Sequence, residues 1–192
     1  MTTAPSKSSP FVDGARMTAA EYFALPETKQ RCDLIDGVLY VSPSPDFFHQ
    51  KLVGVLYVTL DSFARRNGGE AFVSPMDVEF DPLVTRQPDA GYIRPGRVGI
   101  IGRHHVVGPP DLVVEVHSPS NRRIDTGDKL EIYARYGVAE IWLVDPVRRT
   151  VTVHTGQDGR IARSETVPFG ERIPSSVVDA GDAGLDAIQP PG

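Results

Sequence analysis

The chain has 192 residues, of which 40% are hydrophobic and 23% charged, with a net charge of −5 and one cysteine. This length suits a single domain with a sizeable core. No apolar run is long enough to span a bilayer, an intrachain disulfide is excluded, and the acidic balance argues against tight, non-specific nucleic-acid binding.

Residues 1–15 are rich in Ser, Thr and Pro, carry no apolar leader segment and read as a disordered tail. With Cys32 as the only thiol, this fits a cytoplasmic protein. A short helix follows over 17–25, with Thr18 as its cap and Pro26 as its stop. Asp36-Gly37 between two apolar runs predicts a β-hairpin. The strongest helical pattern runs from 49 to 66, where Leu52, Leu56, Leu60 and Phe63 form one stripe, Asp46 can cap the start and Gly68 lies just past the end. Strands are expected over 71–80, broken by Pro75, and over 87–93 and 111–117, the last nearly continuous in apolar residues like a buried central strand. A helix over 126–136 and strands over 141–144 and 150–154 complete the pattern. Beyond residue 156 it weakens. The fold class is therefore mixed α/β with a central sheet. The domain is expected over 16–155, with 156–192 a weakly patterned extension of it.

Glu115 is the most informative residue. Strand alternation places Leu112, Val114 and Val116 on one face and Asp111, Val113, Glu115 and His117 on the other. Glu115 either faces water from a half-exposed strand or is buried and needs a metal or a partner to stay ionised. The hydrophobicity of the run favours the second. Asp89, alone a turn residue, becomes a candidate second ligand beside it. Two hard oxygen ligands suit Mg²⁺ or Mn²⁺. Lys129 follows on the next helix, where it either pairs with Asp125 on the surface or serves the carboxylates. His117 shares the strand face of Glu115. His49 opens the long helix and either reaches the carboxylates or is solvated. Serine-hydrolase, P-loop, dinucleotide and His-Glu-x-x-His signatures are absent.

As a set, these segments resemble the Uma-type family of restriction-endonuclease-like proteins, within the PD-(D/E)XK nucleases. The likeness is carried by Asp33-Leu-Ile-Asp-Gly-Val-Leu39, Val73-Ser-Pro-Met-Asp-Val78, Gln87-Pro-Asp89, Pro110-Asp-Leu-Val-Val-Glu115-Val-His-Ser-Pro-Ser120, the stretch from Asp125 to Val138 around Lys129, and Glu140-Ile-Trp-Leu-Val-Asp145-Pro146, in the family's order. The resemblance implies a core of helix, three strands, helix and strand, here preceded by a β-hairpin. It implies Asp89 as the motif aspartate and Glu115 as the motif acid. The lysine usually found two residues after the acid is replaced by His117, and Lys129 fits the position that similar families use instead. Asp33 stands where the family usually has Glu. The activity implied is metal-dependent hydrolysis of DNA phosphodiester bonds. Asp89, Glu115 and the carbonyl of Val116 would hold Mg²⁺ or Mn²⁺, and Lys129 would orient water or stabilise charge. Arg122 and Arg123, with Arg94, Arg97 and Arg103, would steer phosphates. DNA binding is expected to be weak and salt-dependent, and a homodimer would suit double-strand cleavage. The rival reading is a non-catalytic nucleic-acid- or protein-binding module that keeps the fold.

Overall fold

The computed structural model describes residues 10–28, 30–117 and 126–190. Its first element is fixed by side chains at its own start. Thr18 and Glu21 close a capping box, Thr18 N donating to Glu21 Oε2 at 2.7 Å and Glu21 N to Thr18 Oγ1 at 3.3 Å, so α1 (Ala19–Phe23) begins at the predicted cap. The strands β1 (Arg31–Ile35) and β2 (Val38–Ser42) then pair antiparallel. Both turn residues, Asp36 and Gly37, have positive φ, 49° and 73°, as a two-residue hairpin turn of matching twist requires.

The predicted tail ends earlier than residue 15. Gly14 N donates to Leu39 O, Leu39 N donates to Ala15 O, and Phe11 and Ala15 pack with Cys32 and Leu39. The open edge of β2 supplies the hydrogen bonds that hold this stretch. Residues 1–9 lie outside the described residues.

The long helix α2 (Phe47–Asn67) starts where Asp46 accepts from His49 N at 2.8 Å and ends at Gly68, whose φ of +83° few other residues would adopt. Leu52, Leu56 and Leu60 are fully buried along its inner stripe. The chain then continues through β3 (Glu70–Val73), β4 (Asp77–Asp81), β5 (Val84–Arg86), β6 (Ala90–Ile93), β7 (His105–Val107), β8 (Leu112–Val116), α3 (Thr126–Arg135), β9 (Glu140–Asp145), β10 (Thr150–Gln157) and β11 (Arg160–Pro168). The single strand expected over 71–80 is two strands in different sheets. Pro75 cannot donate to a ladder, and the chain changes sheet there.

Two sheets result. The larger has the order β11-β10-β9-β8-β6-β3, the smaller β2-β1-β5-β4-β7. Within the larger, α2, the antiparallel strands β3, β6 and β8, then α3 and the parallel strand β9 form the helix, three-strand, helix, strand core. Leu112, Val114 and Val116 of β8 pack in the cluster that contains the α2 stripe, whereas Val113 packs with Tyr133 of α3 and with Ile141. The predicted alternation of β8 thus divides the two helices between the two faces of the sheet. Among the described residues no helix is long and apolar enough to cross a membrane.

The weak pattern beyond 156 conceals an ordered segment. The long hairpin of β10 and β11 turns at Asp158-Gly159, both with positive φ, and Ile173, Val178 and Leu185 enter the main core. Buried Glu140 ties this segment down, accepting from Trp142 Nε1 at 2.8 Å and from both Ser176 N and Ser176 Oγ at 2.9 Å.

Candidate functional site

The register of β6 against β8 pairs Ala90 with Val114. Carried one residue further, it sets Asp89 opposite Glu115, and residues directly opposite in a sheet project from the same face. Both are buried, at 1% and 4% exposure. Asp89 is locked to β8 by its backbone and its side chain, since its N–H donates to Val114 O at 3.0 Å and its Oδ2 accepts from Val116 N at 2.7 Å. Strand alternation turns the Val116 carbonyl toward that same edge.

Cations converge on this pair from other elements. Arg31 of β1 bonds Asp89 Oδ1 through Nη1, and its Nη2 lies 3.4 Å from Glu115 Oε2 while donating to Gln87 O. Lys129 of α3 places Nζ 3.0 Å from Glu115 Oε2, and Tyr133, one helical turn on, donates to Glu115 Oε1 at 2.6 Å. His49 of α2, itself buried, lies with Nε2 3.3 Å from Asp89 Oδ2. Of the alternatives open for His49 and Lys129, the structure therefore places both against the carboxylates. His117 is exposed just beyond the end of β8, its N–H donating to Val144 O at 2.8 Å.

Asp33 stands one layer deeper. It is 1% exposed, accepts from Gln87 N at 3.0 Å, and its Oδ1 lies 3.4 Å from Nε of fully buried Arg86. The Arg86 guanidinium carbon sits 5.7 Å from the centroid of the Tyr133 ring. Three carboxylates, Asp33, Asp89 and Glu115, thus face three permanent or near-permanent cations, Arg31, Arg86 and Lys129. Burial alone would raise the Asp89 carboxyl. The charge of Arg31 outweighs it, helped by His49 and the Val116 N–H, and holds Asp89 well below the usual carboxylate range. Burial likewise opposes ionisation of Asp33, and Arg86, Lys129 and Arg31 reverse it. Burial, with Glu115 beside it, pushes the Tyr133 phenol up, so that it stays a donor.

Gln87 links this cluster to Asp77 of β4, whose Oδ1 accepts from Gln87 Nε2 at 3.0 Å and from Tyr22 OH at 3.2 Å. Burial pushes the Asp77 carboxyl up to about 6. Its folded pKa lies above the unfolded value of 3.8, so the native state holds a proton that the unfolded chain has lost. Stability should then fall as pH rises from about 4 to about 6, by at most ~3 kcal/mol. Asp77→Asn should flatten that part of the curve and leave the protein at least as stable at pH 7. Urea denaturation at successive pH values checks this, and a slope unchanged by the substitution refutes it.

The donor chemistry of Asp89, Glu115 and the Val116 carbonyl fits a hard cation such as Mg²⁺ or Mn²⁺. Among the described residues no group of three or more His, Cys, Asp or Glu side chains is placed to hold a metal, so an ion here would draw on two carboxylates and complete its shell with backbone and solvent oxygen. Arg31, bridging both carboxylates, offsets one of their two charges, and Lys129 beside Glu115 offsets the other.

The expected phosphate-steering arginines fare differently. Arg94 and Arg97 pair with Asp111, at 3.9 and 3.0 Å, just before the opposite end of β8, and exposed Arg103 lies near them in the chain. Their loop enters β8 at its start, the end away from Glu115. Arg122 and Arg123, and Asp125 as an alternative partner of Lys129, lie outside the described residues. Sequence reasoning missed Arg31, Arg86 and the polar role of Tyr133. Two signals were present: alternation in β1 puts Arg31 on the face of Asp33, and Tyr133 follows Lys129 by four residues on one helical face.

Comparison with known proteins agrees with this architecture. Residues 19–183 match the model of the Uma2 family, described as "Putative restriction endonuclease". A solved structure from Anabaena variabilis, described as a "putative nuclease belonging to DUF820", is similar over 89% of this chain and 98% of its own, with a TM-score of 0.73 and 20% identity. At that identity the likeness establishes the fold. No match was found among curated proteins.

Proposed function

Since the chain belongs to the Uma2 family, we propose that it is a metal-dependent endonuclease that hydrolyses DNA phosphodiester bonds. The observation that carries this reading is the side-by-side placement of buried Asp89 and Glu115 with Lys129 Nζ 3.0 Å from Glu115. Bound by Asp89, Glu115 and the Val116 carbonyl, Mg²⁺ or Mn²⁺ would polarise the phosphate and acidify water. The chain's own residues do the rest. Val116 N–H and His49 orient Asp89, Tyr133 orients Glu115, and Lys129 supplies a positive charge to the developing phosphorane-like oxygens. Asp33 holds Gln87, and through it the turn that carries Asp89, in place. DNA affinity is weak and salt-dependent, because a chain of net charge −5 offers only a local basic patch. A cytoplasmic homodimer would present one such site to each strand of a duplex.

The decisive experiment is incubation of the purified protein with plasmid, single-stranded DNA and RNA in Mg²⁺, Mn²⁺ and EDTA. The expected result is DNA cleavage in either metal and none in EDTA. A specific observation favours the alternative of a non-catalytic binding module: all four oxygens of the Asp89–Glu115 pair already accept from protein donors. Absence of cleavage together with absence of Mn²⁺ binding in calorimetry would select it.

Lys129→Met is expected to lower the cleavage rate by about 100-fold or more, the scale of losing one charge-stabilising donor, while Mn²⁺ affinity changes little. His117→Gln is expected to have the smaller effect on rate. A Lys129→Met enzyme of normal rate, or a His117→Gln enzyme slower than it, would move the cationic role to His117.

A further inference from the structure

A pocket of about 360 Å³ opens beside the carboxylate pair, between the start of α2, the end of β8 and the β9–β10 turn. Its volume falls within the usual range of small-molecule sites. Phe48, Pro146 and Val147 give it apolar walls, and His49, Arg149 and Gln189 contribute polar groups. His49 belongs to both places: its Nε2 contacts Asp89, and its ring lines the pocket. The other ring nitrogen, Nδ1, is buried without a hydrogen-bond partner among the described residues, in a side chain only 7% exposed. A buried polar atom left unpaired is costly, and here it borders a space large enough for a ligand. Of the charged wall residues, Asp46 is acidic, and Arg149 donates to Ile188 O and Asp186 O at 2.9 Å each and lies over the Phe169 ring, so its guanidinium is held by the C-terminal segment. Val147 stands 75% exposed at the lip, held outward by a turn in which Asp145 Oδ1 accepts from Val147 N at 2.9 Å and Arg148 N at 2.8 Å.

Among the described residues the site is therefore largely apolar, carries a few hydrogen-bonding groups and a carboxylate, has its one arginine already engaged, and is separated from Asp89 by one imidazole. A phosphate does not suit it, whereas a planar heterocycle with two apolar faces and a polar edge does. We infer that this pocket receives the nucleobase next to the scissile phosphate, turned out of the stack, so that the preferred substrate is DNA unpaired at the point of cleavage. The inference rests on the nuclease reading above, since it takes the phosphate to lie at Asp89, Glu115 and Lys129.

Nucleosides contain no phosphodiester bond, so they test the pocket without cleavage. The full chain, ¹⁵N-labelled and in EDTA, is titrated with each deoxynucleoside and separately with deoxyribose 5-phosphate. The expected result is saturable shifts of the Phe48, His49, Val147 and Gln189 amides with at least one nucleoside and none with the sugar phosphate. Val147→Arg should weaken that binding about tenfold, and thermal unfolding should confirm that a substitution at so exposed a position leaves the fold intact. In metal, an oligonucleotide with a mismatch or gap at the cleavage point should be cut at least tenfold faster than its full duplex. No shifts with any nucleoside, equal shifts with the sugar phosphate, or equal cleavage of paired and unpaired sites would overturn the pocket assignment while leaving the nuclease reading intact. Nucleoside shifts without cleavage of any nucleic acid would support the pocket as a base site and overturn the nuclease reading instead.

Discussion

Asp89→Asn should abolish metal-dependent cleavage, by about 1,000-fold or more, and should also destabilise the protein by ~3 kcal/mol in EDTA. Two adjacent carboxylates on their own would repel, and removing one charge would then stabilise the fold. The structure reverses that sign. Arg31 bridges the two carboxylates and Lys129 completes the balance, so neutralising Asp89 leaves a buried guanidinium short of its partner. Because the Asp89 pKa is lowered by folding, its contribution is fully present above about pH 4 and is lost only as pH falls through the folded value. Wild type and variant should therefore differ in Tm at neutral pH and converge in strong acid. A variant as stable as wild type at pH 7 in EDTA would show that Arg31 does not hold this carboxylate. Unchanged Mn²⁺ affinity in the variant would remove Asp89 from the metal site.

Arg31→Gln should act in the opposite sense on the metal. A guanidinium and a divalent ion cannot both neutralise the same two carboxylates without leaving excess positive charge in a buried cluster, which is already balanced at three against three. Removing the arginine should tighten Mn²⁺ binding about tenfold, or ~1.4 kcal/mol. It should also lower Tm in EDTA and make Tm rise more steeply with added Mn²⁺ than in wild type. Calorimetry and thermal unfolding with and without Mn²⁺ read both effects. Affinity unchanged or weakened by the substitution would mean that Arg31 and the ion do not compete.

The parts of this fold that sequence exposes are those specified locally. Thr18 with Glu21, Asp36-Gly37, and Asp46 with Gly68 each fix an element through neighbouring residues, and β8 announces itself by an apolar run that only a buried strand carries. The strand β11 escaped because it lies at a sheet edge and is mostly exposed on both faces, so burial imposes no alternation on it; the Asp158-Gly159 turn was its one signal. At the site, Glu115 was legible because a carboxylate in an apolar strand is conspicuous, and Asp89, a turn residue by itself, only as its companion. Arg31 and Arg86 were not, since an arginine beside a short strand reads as surface until the second sheet docks and buries it. Arg86 is 0% exposed only because β1, β4 and α3 close over it.

The charge cluster also has a schedule. Arg31 and Glu115 are 84 residues apart, and the ladder between them draws on both sheets and both long helices. During synthesis the first half of the chain emerges with Arg31 and Arg86 and their partners Asp89 and Asp33, whereas Glu115, Lys129 and Tyr133 follow later. A chain that stops between Glu115 and Lys129 sets three carboxylates of the cluster against two cations, and burying that excess charge is costly. A prematurely terminated product that ends before α3 lacks Lys129 and Tyr133 altogether, so it has no assembled centre, and any hydrolytic capacity belongs to the finished molecule alone.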